Sequence, residues 1–500
     1  MLNIQKKLSN PFLALLGLPA TAVGFALSTQ IAALSWILSN KYGLDIHDVA
    51  FVWLAGPIAG IFGQVIVGLI SDNVWFMGGR RRPFIMIGGM VSTIAFLALP
   101  HIKGISHITG IADIIIIASV IALFLDLSIN VTFNPARSII ADLTPEGKVR
   151  TSGYVWMQIM SGFFGVFAYF LSMVFGNEML LYIAAVIVFL LAVFPVLFIQ
   201  EKKDDGQQTT EVQEKFGVGQ IVKEIFPLYG FLVFGLFSLF YHFFTDALAA
   251  WHNPVLIASL VYSVLIGIYI ILKGFREKSN QNEFQKIMLA HSFTWVAFQS
   301  MFILSGFFIE NQILPNIGLT GVKANWFAER LTGITQDSGA TVGNMVSLGF
   351  FILNFIGAVF PLILQGIAKR IGRVRTYISA LIFSAIGYFY IAFFSKVEMD
   401  FYIGMVLVGI GWSAVISIVF AIMSERVNAA KMGLYMGVFN LAVVLPQMMS
   451  NGVANVIKAT GNHQLLYIFC GLFIVTSVVF WLFVKEPEST GDKKIVSGGH

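Results

Sequence analysis

The chain has little of what keeps a protein in water. Only 11% of its 500 residues are charged while 57% are hydrophobic, and the mean hydropathy is +0.83. Together these exclude a soluble globular fold and leave a polytopic membrane protein. A single cysteine, Cys470, excludes intrachain disulfides and cysteine-rich metal sites. Walker A, HExxH and nucleophile-elbow patterns are absent, so neither an enzyme nor an ATP-driven pump is expected. There is no catalytic residue, metal or cofactor to place. The net charge of +5 follows membrane topology and points to no nucleic acid. What is abundant is Phe, 48 residues, and Gly, 47 residues, the second of which lets helix backbones approach closely.

Apolar windows predict spans near 12–39, 48–70, 84–101, 111–138, 152–175, 179–199, 226–245, 255–272, 287–309, 344–365, 376–395, 401–423, 433–457 and 465–484. The two lysines before the first run imitate a signal peptide, but that run is too long for one and reads as a retained span. About fourteen spans place both termini on one side. Roughly 25 of the 31 Lys and Arg fall on the side of the termini, which the positive-inside rule makes cytoplasmic. The short chain ends and the lack of plant-like targeting lead to the expectation of a bacterial cytoplasmic (inner) membrane.

The organisation reads as an N-terminal six-helix half (1–200), a cytoplasmic linker (201–225), an inserted two-helix hairpin (226–275), a C-terminal six-helix half (276–490) and a tail (491–500). Basic GR clusters after the second span of each half, GGRRR and AKRIGRVR, suggest duplication of a six-span unit, a known way to build a transporter. The segment 310–343 reads as a solvated outer loop. Near the hairpin's outer turn, His242 and Asp246 read as interfacial pairing rather than a metal or proton site.

The fourth span carries the strongest chemical signal. Asp126, Asn130, Asn134 and Arg137 interrupt an apolar run, and at 100° per residue they share one helical face. A carboxylate in hydrocarbon costs several kcal/mol, so an intramembrane acid faces a partner or a water-filled path. Asp126 reads as a proton or ligand site. Arg137 lies roughly 16 Å further along the helix, too far for a direct salt bridge unless the chain bends at Pro135.

The stretch GLISDNVWFMGGRRR, with Gly68, Asp72, Gly79, Arg80 and Arg81, resembles the loop motif of the major facilitator superfamily, with a few extra residues before the GR pair. It implies a charge-assisted latch between helices. More closely, WLAGPIAGIFGQVIVGLISD, GRRRPF, LDLSINVTFNPARSIIADL, FTWVAFQSMF and GLYMGVFNLAVVLPQMMSN are similar to the sucrose carriers of plants and their bacterial and animal sugar-transporting relatives. The resemblance implies an all-α major facilitator fold and proton-coupled uptake of a disaccharide such as maltose or sucrose. It assigns coupling to Asp126 and sugar recognition to Arg137. Two departures stand out: the first span reads FALSTQ from Phe25 to Gln30, and His291 occupies a position where the family commonly has Gln.

Sugar hydroxyls are met by amides and guanidinium groups and sugar CH faces by aromatic rings. The expected substrate-binding set is therefore Arg137, Asn130, Asn134, Gln30, Gln64, Trp53, Trp295, Asn440 and Gln447. The expected partners are a disaccharide, a proton and the lipid bilayer, acting on a monomer. Sodium coupling would call for clustered hard oxygen ligands. A non-transporting sugar receptor or scaffold is the alternative of a different class.

Overall fold

The computed structural model describes residues 8–61, 63, 74–145, 148–201, 223–277, 279–319, 322–427 and 432–486. It is helical, and of fourteen helical segments that follow the expected spans eleven are long and apolar enough to cross a membrane among the described residues. The first six are α1 (Asn10–Lys41), α2 (Ile46–Ile61), α3 (Arg82–Thr109), α4 (Ile114–Leu143), α5 (Lys148–Phe175) and α6 (Asn177–Phe198). An inserted pair follows, α7 (Phe226–Phe243) and α8 (Thr245–Arg276). The last six are α9 (Asn280–Ile317), α10 (Ser338–Val359), α11 (Arg373–Phe394), α12 (Glu398–Ser424), α13 (Met432–Gln447, continued by Met449–Thr460) and α14 (Leu465–Trp481). We call the end where α1 begins the terminal end and the opposite one the far end.

Helix starts follow local capping chemistry. The Asp113 carboxylate accepts the Ile115 N–H at α4, and Asp337 accepts that of Ala340 at α10. The α2 helix breaks at Trp53–Leu54, just before Pro57, whose missing N–H cannot sustain the ladder. In contrast, α4 runs on through Pro135 without interruption.

The hairpin packs mainly on the C-terminal half. Added Cβ atoms at Gly235 and Gly452 would strike Met448 and Phe234 respectively, and one at Gly267 would strike Phe480. This packing explains α9. Its most apolar window is 83% buried, against 28% for α8, which meets lipid instead. At the base, a buried Lys286–Glu283 pair at 2.8 Å is completed by the Phe483 carbonyl and the Lys485 N–H, tying α9 to the end of α14.

The 310–343 segment is not the irregular loop expected. It contains a helix, Lys323–Thr332, whose Asn325 bonds Thr341 at 2.7 Å and accepts from Asn344. These bonds join residues 16 and 19 apart, docking the short helix on the start of α10, and such pairing leaves no mark in a hydropathy pattern.

Candidate functional site

The Asp126 carboxylate is buried, and Oδ2 accepts a hydrogen bond from Gln30 Nε2 of α1 at 3.0 Å. Opposite lies Gly56 of α2, where an added Cβ would stand 3.7 Å from the carboxylate oxygens. Three glycines of α2 set how closely its neighbours approach. Gly56 faces Asp126, Gly60 faces Val444 of α13, and Gly63 faces Asn130. The sequence motif contained them, but a small-residue stripe becomes a site wall only once its neighbours are known.

The Asn130 amide donates to the Asp126 carbonyl at 2.8 Å. Along the predicted face, exposure rises steadily. Asp126 is buried, Asn130 and Asn134 are half-buried, and Arg137 is exposed. These residues share one face, whose exposure is least at Asp126 and greatest at Arg137, toward the terminal end. The uninterrupted α4 keeps Arg137 away from Asp126. Its guanidinium instead lies 4.0 Å over the Phe133 ring, in no ion pair among the described residues.

The C-terminal half contributes aromatics. His291 Nε2 accepts from Trp295 Nε1 at 2.8 Å, leaving Nδ1 for the Tyr377 hydroxyl at 3.3 Å. Its ring stacks on Phe439, 5.1 Å between centroids. An imidazole that accepts at one nitrogen is neutral, so His291 anchors three helices here rather than carrying charge. Trp295 also meets Trp412 edge to face. Asn440 and Gln447 are half-buried on α13, flanking the Val444 that touches α2. Trp53 is buried with its indole N–H on Ser35 Oγ at 2.8 Å, which makes it an α1–α2 brace rather than an open sugar platform. Gln64, Gly68 and Asp72 lie outside the described residues.

At the far end the two halves are joined. Trp36 Nε1 donates to the Gly339 carbonyl at 2.7 Å, Ser347 meets Ser172 at 2.8 Å, and Lys458 pairs with Asp45 at 2.5 Å. Gly343 fits beneath Asn177 and Trp36 with no room for a side chain. At the terminal end, the ion pairs of the described residues stay within one half. Arg80 and Arg81 both reach Asp142 of α4, at 2.9 and 3.1 Å. The Arg80, Arg81 and Arg82 backbone N–H groups converge on Glu201, just after α6.

The same arrangement recurs in the second half. Arg373 at the start of α11 pairs with Glu425 after α12, and Glu486 after α14 accepts the Arg373 and Val374 N–H groups. Gly79 and Gly372 stand where a Cβ would meet the capping carboxylates at 2.5 and 2.9 Å. Glu425 is held below its usual carboxylate range by its bond to Arg373, against a smaller opposing effect of burial. The sequence showed the basic clusters. It did not show their acids, which stand far away in the chain.

Two six-helix halves with matching end-clamps, a buried acid on α4 and contacts that join the halves at one end form the architecture of a membrane carrier. The chain belongs to the Major Facilitator Superfamily, whose model matches residues 16–322 and 316–498. It is thus a multi-pass membrane protein. Over 169 residues it is 28% identical to the Sucrose transport protein SUC4 of Arabidopsis thaliana, covering 33% of this chain and 32% of that protein. Over 158 residues it is 26% identical to the General alpha-glucoside permease of Schizosaccharomyces pombe, covering 28% and 29%. The matched stretches span about a third of those relatives' lengths. Among solved structures, a mutant of the nucleoside transporter NupG superposes with a TM-score of 0.64 at 12% identity, covering 95% of this chain and all of that one. A POT family transporter in complex with 5-aminolevulinic acid gives 0.63 at 14%, covering 94% and 96%. These relatives and neighbours are transporters, not enzymes.

Proposed function

We propose that this protein is a proton-coupled symporter of a maltose- or sucrose-type α-glucoside, working as a monomer by alternating access. The observation that carries the reading is Asp126, buried on α4, held by Gln30 and continued by Asn130, Asn134 and Arg137 along one face. Protonation from the far side neutralises Asp126, the sugar is held between the polar face of α4 and the aromatics of α9 and α12, and the halves rock about it. Arg137, stacked on Phe133 and with no acid partner among the described residues, is the guanidinium that meets the sugar hydroxyls. The terminal end is taken as cytoplasmic from its excess of Lys and Arg, so the arrangement described, joined at the far end, is the inward-open one.

The test is the pH of a lightly buffered suspension of de-energised cells expressing the protein, as maltose, sucrose or trehalose is added in turn. Alkalinisation with one sugar, lost in Asp126→Asn, is the expected result. No pH change alongside sodium-dependent uptake would replace the proton with sodium. Sugar binding without flux across a sealed membrane would make the protein a receptor.

A further inference from the structure

The hairpin insertion reaches the far end and there meets the N-terminal half through its histidine. His242 does not pair with Asp246, which is exposed on the short helix that follows. Its ring stacks on Phe51 of α2, 3.8 Å between centroids, and lies parallel to His47 one turn earlier, at 6.2 Å and 20°. His47 Nδ1 stands 3.7 Å from Asp48 Oδ1. One ligand atom from each of His47, Asp48 and His242 fits within 4.8 Å of the others.

Two further observations mark this as more than contact between rings. His47 is only 6% exposed, yet its Nε2 has no hydrogen-bond partner. A buried polar nitrogen left without a partner is costly, and a bound ligand would relieve that cost. The three residues also line one cavity of about 370 Å³ with Tyr241, Asn455 and Lys458. The Lys458 ammonium, which would repel a cation, is drawn onto Asp45 instead.

We propose that His47, Asp48 and His242 bind a zinc-type divalent cation, and that the bound ion ties the hairpin to α2 and holds the far end closed. Two imidazoles and a carboxylate with water in the fourth position are a common zinc donor set. Bonds of about 2.0–2.1 Å in a tetrahedron place donor atoms about 3.3 Å apart, so the present spacing needs a closure that side-chain rotation supplies. The mechanical consequence follows from packing. His47 and Asp48 belong to the N-terminal half, whereas the helix of His242 rides on the C-terminal half through Gly235–Met448 and Phe234–Gly452. An ion shared between them spans the seam that must part when the far end opens. The closure role rests on the alternating-access reading; the site itself does not.

The experiment is zinc titration of the tag-free full-length protein in lipid nanodiscs, read by calorimetry with Zn²⁺ alone. One equivalent should bind. His242→Ala and the shape-preserving Asp48→Asn should each weaken it at least about tenfold, while Asp246→Asn should leave it unchanged. Absence of binding, or binding that neither His242→Ala nor Asp48→Asn weakens, overturns the site. In sealed proteoliposomes, Zn²⁺ at the far face should then inhibit sugar uptake by the wild type and not by His242→Ala. Tight binding without inhibition overturns the closure role alone. Absent uptake with intact binding points instead to failure of the carrier reading.

Discussion

Gly343 offers the sharpest test of the closed far end. A Cβ placed there overlaps Asn177 Oδ1 and lies 2.9 Å from Trp36 Nε1, where about 3.5 Å is needed. Asn177 cannot swing aside freely. It is 1% exposed, and its amide donates to the Ala32 carbonyl at 2.8 Å. In Gly343→Ala the seam must either lose that bond, at about 0.5–1.5 kcal/mol, or spread against overpacking, at about 1–3 kcal/mol. Whichever is taken, closure is opposed by about 0.5–3 kcal/mol, a shift of about 2- to 160-fold toward the far-open state. In that state the cost is absent, because α10 has moved away from α1 and α6. Spin labels at His107→Cys and Ile334→Cys, both exposed at the far end of opposite halves, would report the separation by electron–electron resonance, with Cys470 buried and silent. A longer, dominant distance in Gly343→Ala is expected. An unchanged distance in a well-folded variant would refute the contact as a determinant of closure.

Three further outcomes follow from the same geometry. Asp126→Asn should reduce sugar accumulation in proteoliposomes to equilibration while sparing counterflow; a 100 mV potential, worth about 2.3 kcal/mol per charge, would otherwise sustain about 50-fold accumulation for one proton. Glu201→Gln should lower the thermal midpoint in detergent, corresponding to about 1–3 kcal/mol, because three backbone N–H groups lose a charged acceptor, and Glu486→Gln should do likewise. Asp45 is shifted upward by burial but, on balance, held below its ordinary 3.8 by Lys458 and the N–H groups of Asp48 and His47. Its folded value is therefore the lower one. The Asp45–Lys458 pair is intact above pH 3.8 and weakens only as pH falls below it, so with Asp126→Asn removing the coupling proton the label separation should be constant across about pH 5–8 and change in strong acid.

Much of this protein is legible in one dimension because a bilayer imposes a long apolar run on every crossing. The all-helical class and the approximate positions of the spans could be read that way, as could the shared face of Asp126, Asn130, Asn134 and Arg137, since helical phase needs no tertiary information. What could not be read depends on partners distant in sequence. Glu201 and Asp142 looked like ordinary loop and helix-end acids until folding brought them to Arg80–Arg82. Trp53 had the composition of a sugar platform, and only its bond to Ser35 shows it turned between two helices. His242 had an acid four residues on, and helical spacing suggested that pair. The helix ends at Phe243, however, and the true neighbours come from α2.

The paired end-clamps also constrain what the chain could accept between its halves. The Arg80–Glu201 and Arg373–Glu486 caps both lie at the terminal end, so the second repeat must enter the membrane in the same sense as the first. An inserted element is compatible with that only if it crosses an even number of times. One extra helix would invert everything after it, carrying the second set of arginines to the wrong face. A hairpin is the smallest membrane-crossing insertion that leaves the parity of the chain untouched, and α7–α8 is such an insertion.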